Sequence, residues 1–293
     1  MKPTAFQKQD LRTNKIPPNS TLHKIREKIE SYSESPYLDA LVLLAFITSK
    51  SKSDILTYPS PELTAEQSEQ LDISLQKIIE GNPLPYILGT WEFYQLDFKI
   101  TPDVLIPRPE SEWLVENGLS WLIEHPQQRT CLEIGTGSGC LAVSLAKNTQ
   151  DLKVFATDIS EKALIVAQEN AKLHNVQERI EFVVVDLLKG IKIKADLLLA
   201  NLPYIPTNKL KNLAVYQSEP NLALDGGRDG LSYIKELLKY SPGILNRGGL
   251  ILLELDETTG EPALELARRY FPKTDPKLIQ DLSNQDRYLQ IQT

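Results

Sequence analysis

The sequence predicts an α/β protein with a smaller helical domain at its N-terminal end. From Thr130 onward, segments of strand and helix character alternate, which is typical of a parallel sheet whose strands are joined by right-handed crossovers. Residues 20–80 instead show helical periodicity. Two short segments near the end, 278–282 and 288–291, predict a closing antiparallel hairpin with Asp286 and Arg287 in its turn. We therefore expect a mostly parallel sheet with an antiparallel edge, preceded by a small helical bundle.

Composition excludes several classes of protein. The 293 residues suffice for one large domain and a smaller one, and the longest apolar run, residues 40–48, is too short to cross a bilayer. A net charge of −7 disfavours broad, nonspecific binding to nucleic acid. The two cysteines, Cys131 and Cys140, lack a metal-ligand spacing and indicate reduced thiols. We expect a cytoplasmic monomer without a metal, a membrane segment or stable nucleic-acid binding.

Changes in composition along the chain predict that it is divided into four segments. Residues 1–19 are polar and lack the apolar core of a secretory signal. Their Pro, Asn, Gln and Lys content predicts a flexible lead-in. Residues 20–81 form the helical domain, which carries no catalytic constellation. Substrate recognition, a cover for the active site and a purely structural cap all remain open for it. Residues 82–109, with five prolines, predict a linker hairpin, and residues 110–293 predict the catalytic domain.

Local signals place the first elements. Ser20 predicts a helix start, and Thr64 with Gln67 forms a capping box before another helix. In the linker, residues 86–89 and 93–100 predict the two strands of the hairpin.

A stiff, charged loop leads into the larger domain. Pro107 and Pro109 restrict the backbone on either side of Arg108, and a helix is predicted over residues 111–124. Such a loop suits one wall of a cofactor site, although a surface linker has the same appearance.

A glycine-rich loop follows the first strand of this domain, residues 131–134. Its spacing, G-x-G-x-G, differs from the dinucleotide fingerprint, and no P-loop lysine follows it. The next two strands, 153–157 and 180–185, end beside Asp158 and Asp186. Ligands bind at the carboxyl ends of the strands in an open parallel sheet, so the loop and both carboxylates should meet there. The loop residues are Gly135, Thr136, Gly137, Ser138 and Gly139.

A fourth strand, residues 196–199, delivers an amide to the same edge. It is followed by an Asn-X-Pro-aromatic sequence, which is typical of methyltransferases acting on planar amide or amino nitrogens, although a proline turn alone has this pattern. The four residues are Asn201, Leu202, Pro203 and Tyr204.

Together, in this order, the loop, the carboxylates and the amide resemble the S-adenosylmethionine site of a Rossmann-like class I methyltransferase. The resemblance implies that the three loop glycines line the methionine end and that Asp158 binds the ribose hydroxyls. Leu187 would contact the adenine ring, with Asp186 near its polar edge. The other cofactor-binding candidates are Glu133, near the amino group; Thr136, Ser138 and Asn201; and Arg108, which either neutralises the carboxylate or pairs with Glu110.

Motifs outside the sheet make the resemblance specific to one family of methyltransferases. Residues 85–89, 105–110, 219–224 and 226–231, together with 201–204, are similar to those of the peptide chain release factor glutamine N(5)-methyltransferases (PrmC, also called HemK). That family methylates the side-chain amide of the glutamine in the Gly-Gly-Gln loop of release factors. The resemblance covers almost the whole chain after the lead-in. It implies S-adenosylmethionine as cofactor and release factors as partners.

Two departures from the family pattern stand out. The family usually has Asn-Pro-Pro-Tyr, whereas this chain has Leu202 at the first proline. One restricted backbone angle is therefore lost, but the carbonyl of residue 202 remains. The family also commonly has Glu-X-Gly late in the chain, where this sequence has Glu254 followed by Leu255 and Asp256.

The residue types predict how an amide is bound. An amide nitrogen is a poor nucleophile because its lone pair is delocalised into the carbonyl. We expect the Asn201 side-chain oxygen and the Leu202 carbonyl to accept both amide hydrogens, which orients the lone pair. Tyr204 should pack against the substrate, Pro203 should hold the turn, and Glu219 should shape the substrate entrance. No general base is evident.

Three other functions remain open from the sequence. Adenine and cytosine also offer a planar amino nitrogen, but the acidic balance and the absence of a base-reading module disfavour a nucleic-acid methyltransferase. A glutamine methyltransferase of a ribosomal protein differs little in sequence. A non-catalytic cofactor-binding protein is suggested only by Leu202.

Overall fold

The chain divides into two compact units, Met1–Leu88 and Gly89–Thr293. The computed structural model describes residue 17, residues 19–213 and residues 215–293. The predicted lead-in, residues 1–19, lies almost entirely outside the described residues. No helix in the described part of the chain is long and apolar enough to cross a membrane.

The first unit is helical. Ser20 caps the first helix by accepting a hydrogen bond from the His23 amide, and Thr64 and Gln67 form the predicted reciprocal capping box. Apolar side chains from all of its helices share one core, which includes Leu22, Leu43, Ile55, Leu75 and Leu84. The helices are α1 (Thr21–Ile29), α2 (Pro36–Thr48), α3 (Lys52–Thr57), α4 (Ala65–Ile79) and α5 (Leu84–Leu88).

The predicted strand at residues 86–89 is wrong, because most of that segment belongs to α5. The hairpin lies just beyond it, as β1 (Thr90–Phe93) and β2 (Leu96–Lys99). Tyr94 and Gln95 form its two-residue turn with φ of 49° and 59°. Both residues are left-handed, as a turn that matches the twist of a hairpin requires. That turn sets the register and leaves residues 86–89 no partner strand within the described sheet pairs.

The second unit contains a seven-stranded sheet of order β5-β4-β3-β6-β7-β9-β8. The five strands from β5 to β7 run parallel, and β9 runs antiparallel to β7 and β8, as predicted. The strands are β3 (Thr130–Ile134), β4 (Lys153–Asp158), β5 (Ile180–Val184), β6 (Ala195–Ala200), β7 (Leu245–Glu254), β8 (Lys277–Gln280) and β9 (Asp286–Gln292).

Helices cover both faces of this sheet. Leu198 of β6 packs in one core with Leu237 and Ala267. Its neighbour Leu197 points the other way, toward Gly118, where an added Cβ would lie 3.3 Å from Leu197 Cδ2. All six residues of β6 are buried, which explains its continuous apolar sequence. The helices are α6 (Glu112–Glu124), α7 (Cys140–Asn148), α8 (Glu161–Leu173), α9 (Thr207–Leu210), α10 (Val215–Ser218), α11 (Ser232–Tyr240) and α12 (Gly260–Tyr270).

The closing hairpin has a different turn from the one predicted. Asp286 and Arg287 begin β9 instead of forming the turn. Asp281 organises the turn, because its Oδ1 accepts hydrogen bonds from the amides of Ser283 and Gln285 at 2.7 and 3.1 Å. These side-chain-to-backbone bonds define the loop locally and release residue 286 to the ladder.

Candidate active site

A cavity of about 270 Å³ opens at the carboxyl ends of β3, β4 and β6. It collects most of the predicted site residues from five segments of the second unit. Three predicted residues, Gly139, Tyr204 and Glu219, are not among those lining it. The predicted residues that line it are Arg108, Glu133, Gly135, Thr136, Gly137, Ser138, Asp158, Asp186, Leu187, Asn201, Leu202 and Pro203.

The glycine loop forms the floor of the cavity. Gly135, Gly137 and Gly139 all have positive φ, which is why glycine occupies each of these positions. Gly139 serves packing: an added Cβ would lie 2.9 Å from the Cβ of Ala167 on α8. At Gly137, an added Cβ would meet none of the described protein atoms within 4 Å. The open face of Gly137 is therefore where a ligand can approach the backbone.

Asp158 connects the glycine loop to the start of α8. Its Oδ2 accepts a hydrogen bond from the Gly137 amide and its Oδ1 accepts one from the Ser160 amide, both at 2.9 Å. Burial raises the pKa of Asp158, and these backbone hydrogen bonds lower it. Each carboxylate oxygen can accept another hydrogen bond. Asp158 therefore has capacity for hydroxyl groups of a ligand in the cavity.

Glu133 lies beneath the loop and is 1% exposed. Its Oε2 accepts hydrogen bonds from Thr136 Oγ1 at 2.7 Å and from the Ala142 amide at 3.0 Å. Burial raises the pKa of Glu133 to about 8, although both hydrogen bonds oppose the shift. A cation in the cavity would favour the ionised carboxylate.

Leu187 and Asp186 lie on the β5 side of the cavity. Leu187 adopts a left-handed backbone conformation, with φ of 51°, and lines the cavity. The Asp186 carboxylate pairs with Lys189 at the surface. These positions agree with an apolar contact flanked by a polar group.

Arg108 pairs with Glu219 rather than with Glu110. Glu219 is buried, and its Oε2 also accepts a hydrogen bond from the Ile106 amide at 3.1 Å. This carboxylate therefore joins the proline-rich loop to the segment that contains Pro220, and both segments line the cavity. Glu219 does not line the cavity itself, so it supports these two lining segments from outside the cavity.

Asn201 follows the last residue of β6 and faces the cavity. Its Nδ2 donates to Ser111 Oγ at 2.9 Å, and the Ser111 hydroxyl donates to Glu254 Oε2 at 2.6 Å. The sequence predicts that Tyr204 packs against the substrate, but its hydroxyl donates to Glu254 Oε1 at 3.3 Å. Leu202 is buried and lies against Gly135.

The motif at residues 226–231 supports the Asn201 turn from behind. The Gly226 amide donates to the Ile205 carbonyl at 2.8 Å, and Ile205 forms a bridge with Asp225. An added Cβ at Gly226 would lie 2.7 Å from Tyr204 Cα, and one at Gly230 would lie 2.3 Å from the Tyr204 carbonyl oxygen. Only glycine allows this close backbone contact.

Sequence reasoning missed several residues of the site. Ser111 follows the stiff loop directly, but its long-range partner is not visible in a sequence. Tyr233 and Leu222 line the cavity from segments far along the chain. Their contribution depends on the return of residues 220–233 to the same sheet edge, which local patterns do not indicate.

Comparison with known proteins identifies the family. The PrmC N-terminal domain matches residues 21–89, and the methyltransferase small domain matches residues 111–218. The release factor glutamine methyltransferase of Moorella thermoacetica is 40% identical over 256 residues, 87% of this chain and 90% of that protein. That of Coxiella burnetii is 35% identical over 265 residues, 88% of this chain and 94% of that protein. The chain belongs to the release factor glutamine methyltransferase family.

This membership confirms the predicted family, the enzyme class and S-adenosylmethionine as cofactor, and it supports methylation of a release factor glutamine. Among solved structures, the catalytic domain of hMettl16 in complex with MAT2A 3′UTR hairpin 6 has a TM-score of 0.54 and 18% identity. The match covers 85% of this chain and 91% of that one. At this identity the likeness shows the fold alone, and the class I methyltransferase fold is confirmed.

The cavity of this methyltransferase fits S-adenosylmethionine in its chemistry. Glu133 and Asp158 offer acceptors for an ammonium group and for hydroxyls, while Leu187 offers an apolar surface. The glycine loop leaves backbone accessible at Gly137. Few polar groups in a mostly apolar cavity are what a small-molecule site requires.

Replacing Gly226 with Ala should slow methyl transfer about a hundredfold, because the new Cβ forces the Tyr204 backbone away and displaces Asn201. Steady-state kinetics with labelled cofactor would measure kcat, and calorimetry would show cofactor affinity within about threefold of wild type. Gly243→Ala is the control, since its Cβ meets none of the described atoms within 4 Å. A Gly226→Ala enzyme with normal kcat would refute the supporting role.

Replacing Glu133 with Gln should change how stability depends on pH. Because the pKa of Glu133 is higher in the folded protein than in the unfolded chain, protonation of Glu133 stabilises the fold. This stabilisation is complete below the pKa of the unfolded chain and is lost as pH rises toward about 8. A glutamine side chain does not titrate, so the variant should gain stability relative to wild type from about pH 5 to 8, by up to about 1.4 kcal/mol per pH unit.

Urea unfolding of the cofactor-free protein at several pH values would test this. Tryptophan fluorescence reports on the second unit, because all three tryptophans lie in Gly89–Thr293. The exposed Glu178, changed to Gln, is the control. A stability difference between Glu133→Gln and wild type that stays constant with pH would contradict the buried titration.

Proposed function

We propose that this protein transfers the methyl group of S-adenosylmethionine to the side-chain amide nitrogen of the glutamine in the Gly-Gly-Gln motif of peptide chain release factors. One observation in the site itself supports the proposal most strongly. Asn201 lines the cofactor cavity with its amide group anchored by Ser111 at 2.9 Å. The names of the relatives support release factors over the ribosomal-protein and nucleic-acid alternatives.

The cofactor would be held by residues of β3 and β4, by the glycine loop and by the proline-rich loop. Asp158 accepts hydrogen bonds from the ribose hydroxyls, Glu133 balances the ammonium group, and the glycine loop faces the methionine end. Arg108 neutralises the cofactor carboxylate in part, since Glu219 already pairs with its guanidinium. When bound, S-adenosylmethionine supplies an electrophilic methyl group.

The residues after β6 then activate the substrate amide. Asn201 Oδ1 and the Leu202 carbonyl accept hydrogen bonds from its two N–H groups. Both acceptors become stronger partners as the nitrogen loses its planar conjugation, so they favour the transition state over the ground state. A carboxylate substrate lacks these donors. Two acceptors at this position therefore select a primary amide.

Proton removal requires no dedicated base in this scheme. Once alkylated, the amide nitrogen becomes cationic and strongly acidic, so water at the cavity mouth can accept the proton. Glu133 and Glu254 are both buried and already accept hydrogen bonds from protein donors. Pro203 holds the turn, and Tyr204 supports it through its bond to Glu254.

The other expectations are proposals of the same kind. One of them is that the enzyme is a monomer. Release factors act where proteins are made, so the cytoplasm is its proposed location. The N-terminal helical unit is the candidate for recognition of the factor outside the Gly-Gly-Gln loop.

A methylation assay should place label on a release factor that carries Gly-Gly-Gln and none on the same factor with that Gln changed to Ala. Purified enzyme, radiolabelled S-adenosylmethionine and scintillation counting suffice. Peptide mass spectrometry would locate the added methyl group. Absence of label on both factors, with cofactor binding intact, would reject the proposed substrate.

Asn201→Ala should abolish methyl transfer while cofactor affinity falls only modestly, because the acceptor for the substrate amide is lost. The expected loss in kcat is about a hundredfold or more. Asn148→Ala is the matched control, since Asn148 Nδ2 donates to the Ser144 carbonyl within α7 and does not line the cavity. Near-normal turnover of Asn201→Ala would exclude the assigned role.

A further inference from the structure

A buried hydrogen-bond chain leads from the cavity into the protein behind Asn201. Asn201 Nδ2 donates to Ser111 Oγ at 2.9 Å, and Ser111 donates to Glu254 at 2.6 Å. Ser111 and Glu254 are each only 2% exposed. Ser111 directly precedes α6 and Glu254 ends β7, so two distant segments converge behind one side chain.

The hydrogen count along this chain determines the orientation of the Asn201 amide. A serine hydroxyl has one proton, and an ionised carboxylate only accepts hydrogen bonds. The Ser111 proton is therefore committed to Glu254, and the hydroxyl offers Asn201 only a lone pair. Asn201 must then turn its NH₂ group toward Ser111. Its Oδ1, which has no protein donor among the described residues, is left for the cavity.

We infer that Ser111 and Glu254 are positioning residues that hold the Asn201 carbonyl oxygen toward the substrate, and that they thereby make the site prefer glutamine over glutamate. The inference rests on the proposed function of this cavity. With the amide reversed, two N–H donors would face the substrate. They would repel the amide hydrogens of glutamine and attract a carboxylate.

Removal of the Ser111 hydroxyl should weaken this selection without removing Asn201. Without its anchor, the amide can turn either way, and the two orientations differ by about one hydrogen bond. Loss of that difference should lower the preference for glutamine about tenfold. A merely structural role would reduce binding of both peptides alike.

The proposed orientation of the Asn201 amide requires that Glu254 is ionised. A protonated Glu254 can donate to Ser111, which frees the serine proton to turn toward Asn201 and reverse the amide. Burial raises the pKa of Glu254, and hydrogen bonds from Ser111 and Tyr204 lower it. Among charged neighbours, Glu110 raises the pKa and Arg287 lowers it. Tyr288 and Cys140 also interact electrostatically with this carboxyl.

The decisive experiment compares Ser111→Ala with Ser111→Thr, which keeps a hydroxyl, and with Ser144→Ala. Ser144 is fully buried on α7 and its hydroxyl has no partner within the described residues, so its removal controls for a buried serine. Affinities for Gly-Gly-Gln and Gly-Gly-Glu peptides would be measured by calorimetry with S-adenosylhomocysteine bound. Kinetics on the release factor would give kcat and KM.

We expect the ratio of the two peptide affinities to fall about tenfold in Ser111→Ala, with kcat reduced by at least as much. Ser111→Thr and Ser144→Ala should retain both values within about threefold. An unchanged ratio in Ser111→Ala, in an enzyme whose wild type methylates glutamine, would overturn this inference. A wild type without turnover would instead overturn the proposed function.

The pH profile gives a second measurement that does not depend on the Ser111→Ala variant folding. Wild-type kcat should fall as pH decreases through the raised pKa of Glu254. In Glu254→Gln, which has nearly the same shape, this acid limb should be absent. The same acid limb in both enzymes would refute the role of Glu254.

Discussion

Parallel hydrogen bonding between β3 and its two neighbours sets the geometry of the whole site. Ile134 is in register with Thr157 on one side and with Ala200 on the other. The residues that follow, Gly135, Asp158 and Asn201, therefore lie at one level at this edge of the sheet. A slip between β3 and β6 would separate the glycine loop from Asn201, and a slip between β3 and β4 would separate the loop from Asp158. The catalytic arrangement thus inherits its precision from the backbone of the sheet.

Buried and half-buried carboxylates then hold the loops at this edge. Asp158 binds the Gly137 amide, Glu219 binds Arg108 and the Ile106 amide, and Glu254 binds Ser111. A carboxylate removed from water loses its hydrogen bonds to solvent, so each of these groups requires hydrogen bonds from the surrounding protein. These carboxylates lower the free energy of unfolding somewhat, but they order the loops before a ligand binds. Fixed acceptors of this kind need no reorganisation during the reaction.

The turn after β6 also shows how the chain tolerates leucine where its family usually has a second proline. Leu202 is buried in the sheet core and lies against Gly135, so packing restrains a residue whose backbone angle is not restricted by a ring. Gly226 and Gly230 lie close against the Tyr204 backbone. These tertiary contacts restrain the turn at a position where a second proline would restrict the backbone locally.

The sequence by itself determined four strands of the parallel sheet, the starts of α1, α4 and α6, the glycine loop and the carboxylates at the ends of β4 and β5, because periodicity, capping and turn chemistry act within a few residues. It also located Asn201. The tertiary structure alone decided that Glu219 pairs with Arg108, that Tyr204 faces Glu254 and that Ser111 anchors Asn201. The partners in these three contacts are separated along the chain by 111, 50 and 90 positions, respectively. No local pattern specifies such contacts, since they exist only once the parallel strands bring distant segments to one edge of the sheet.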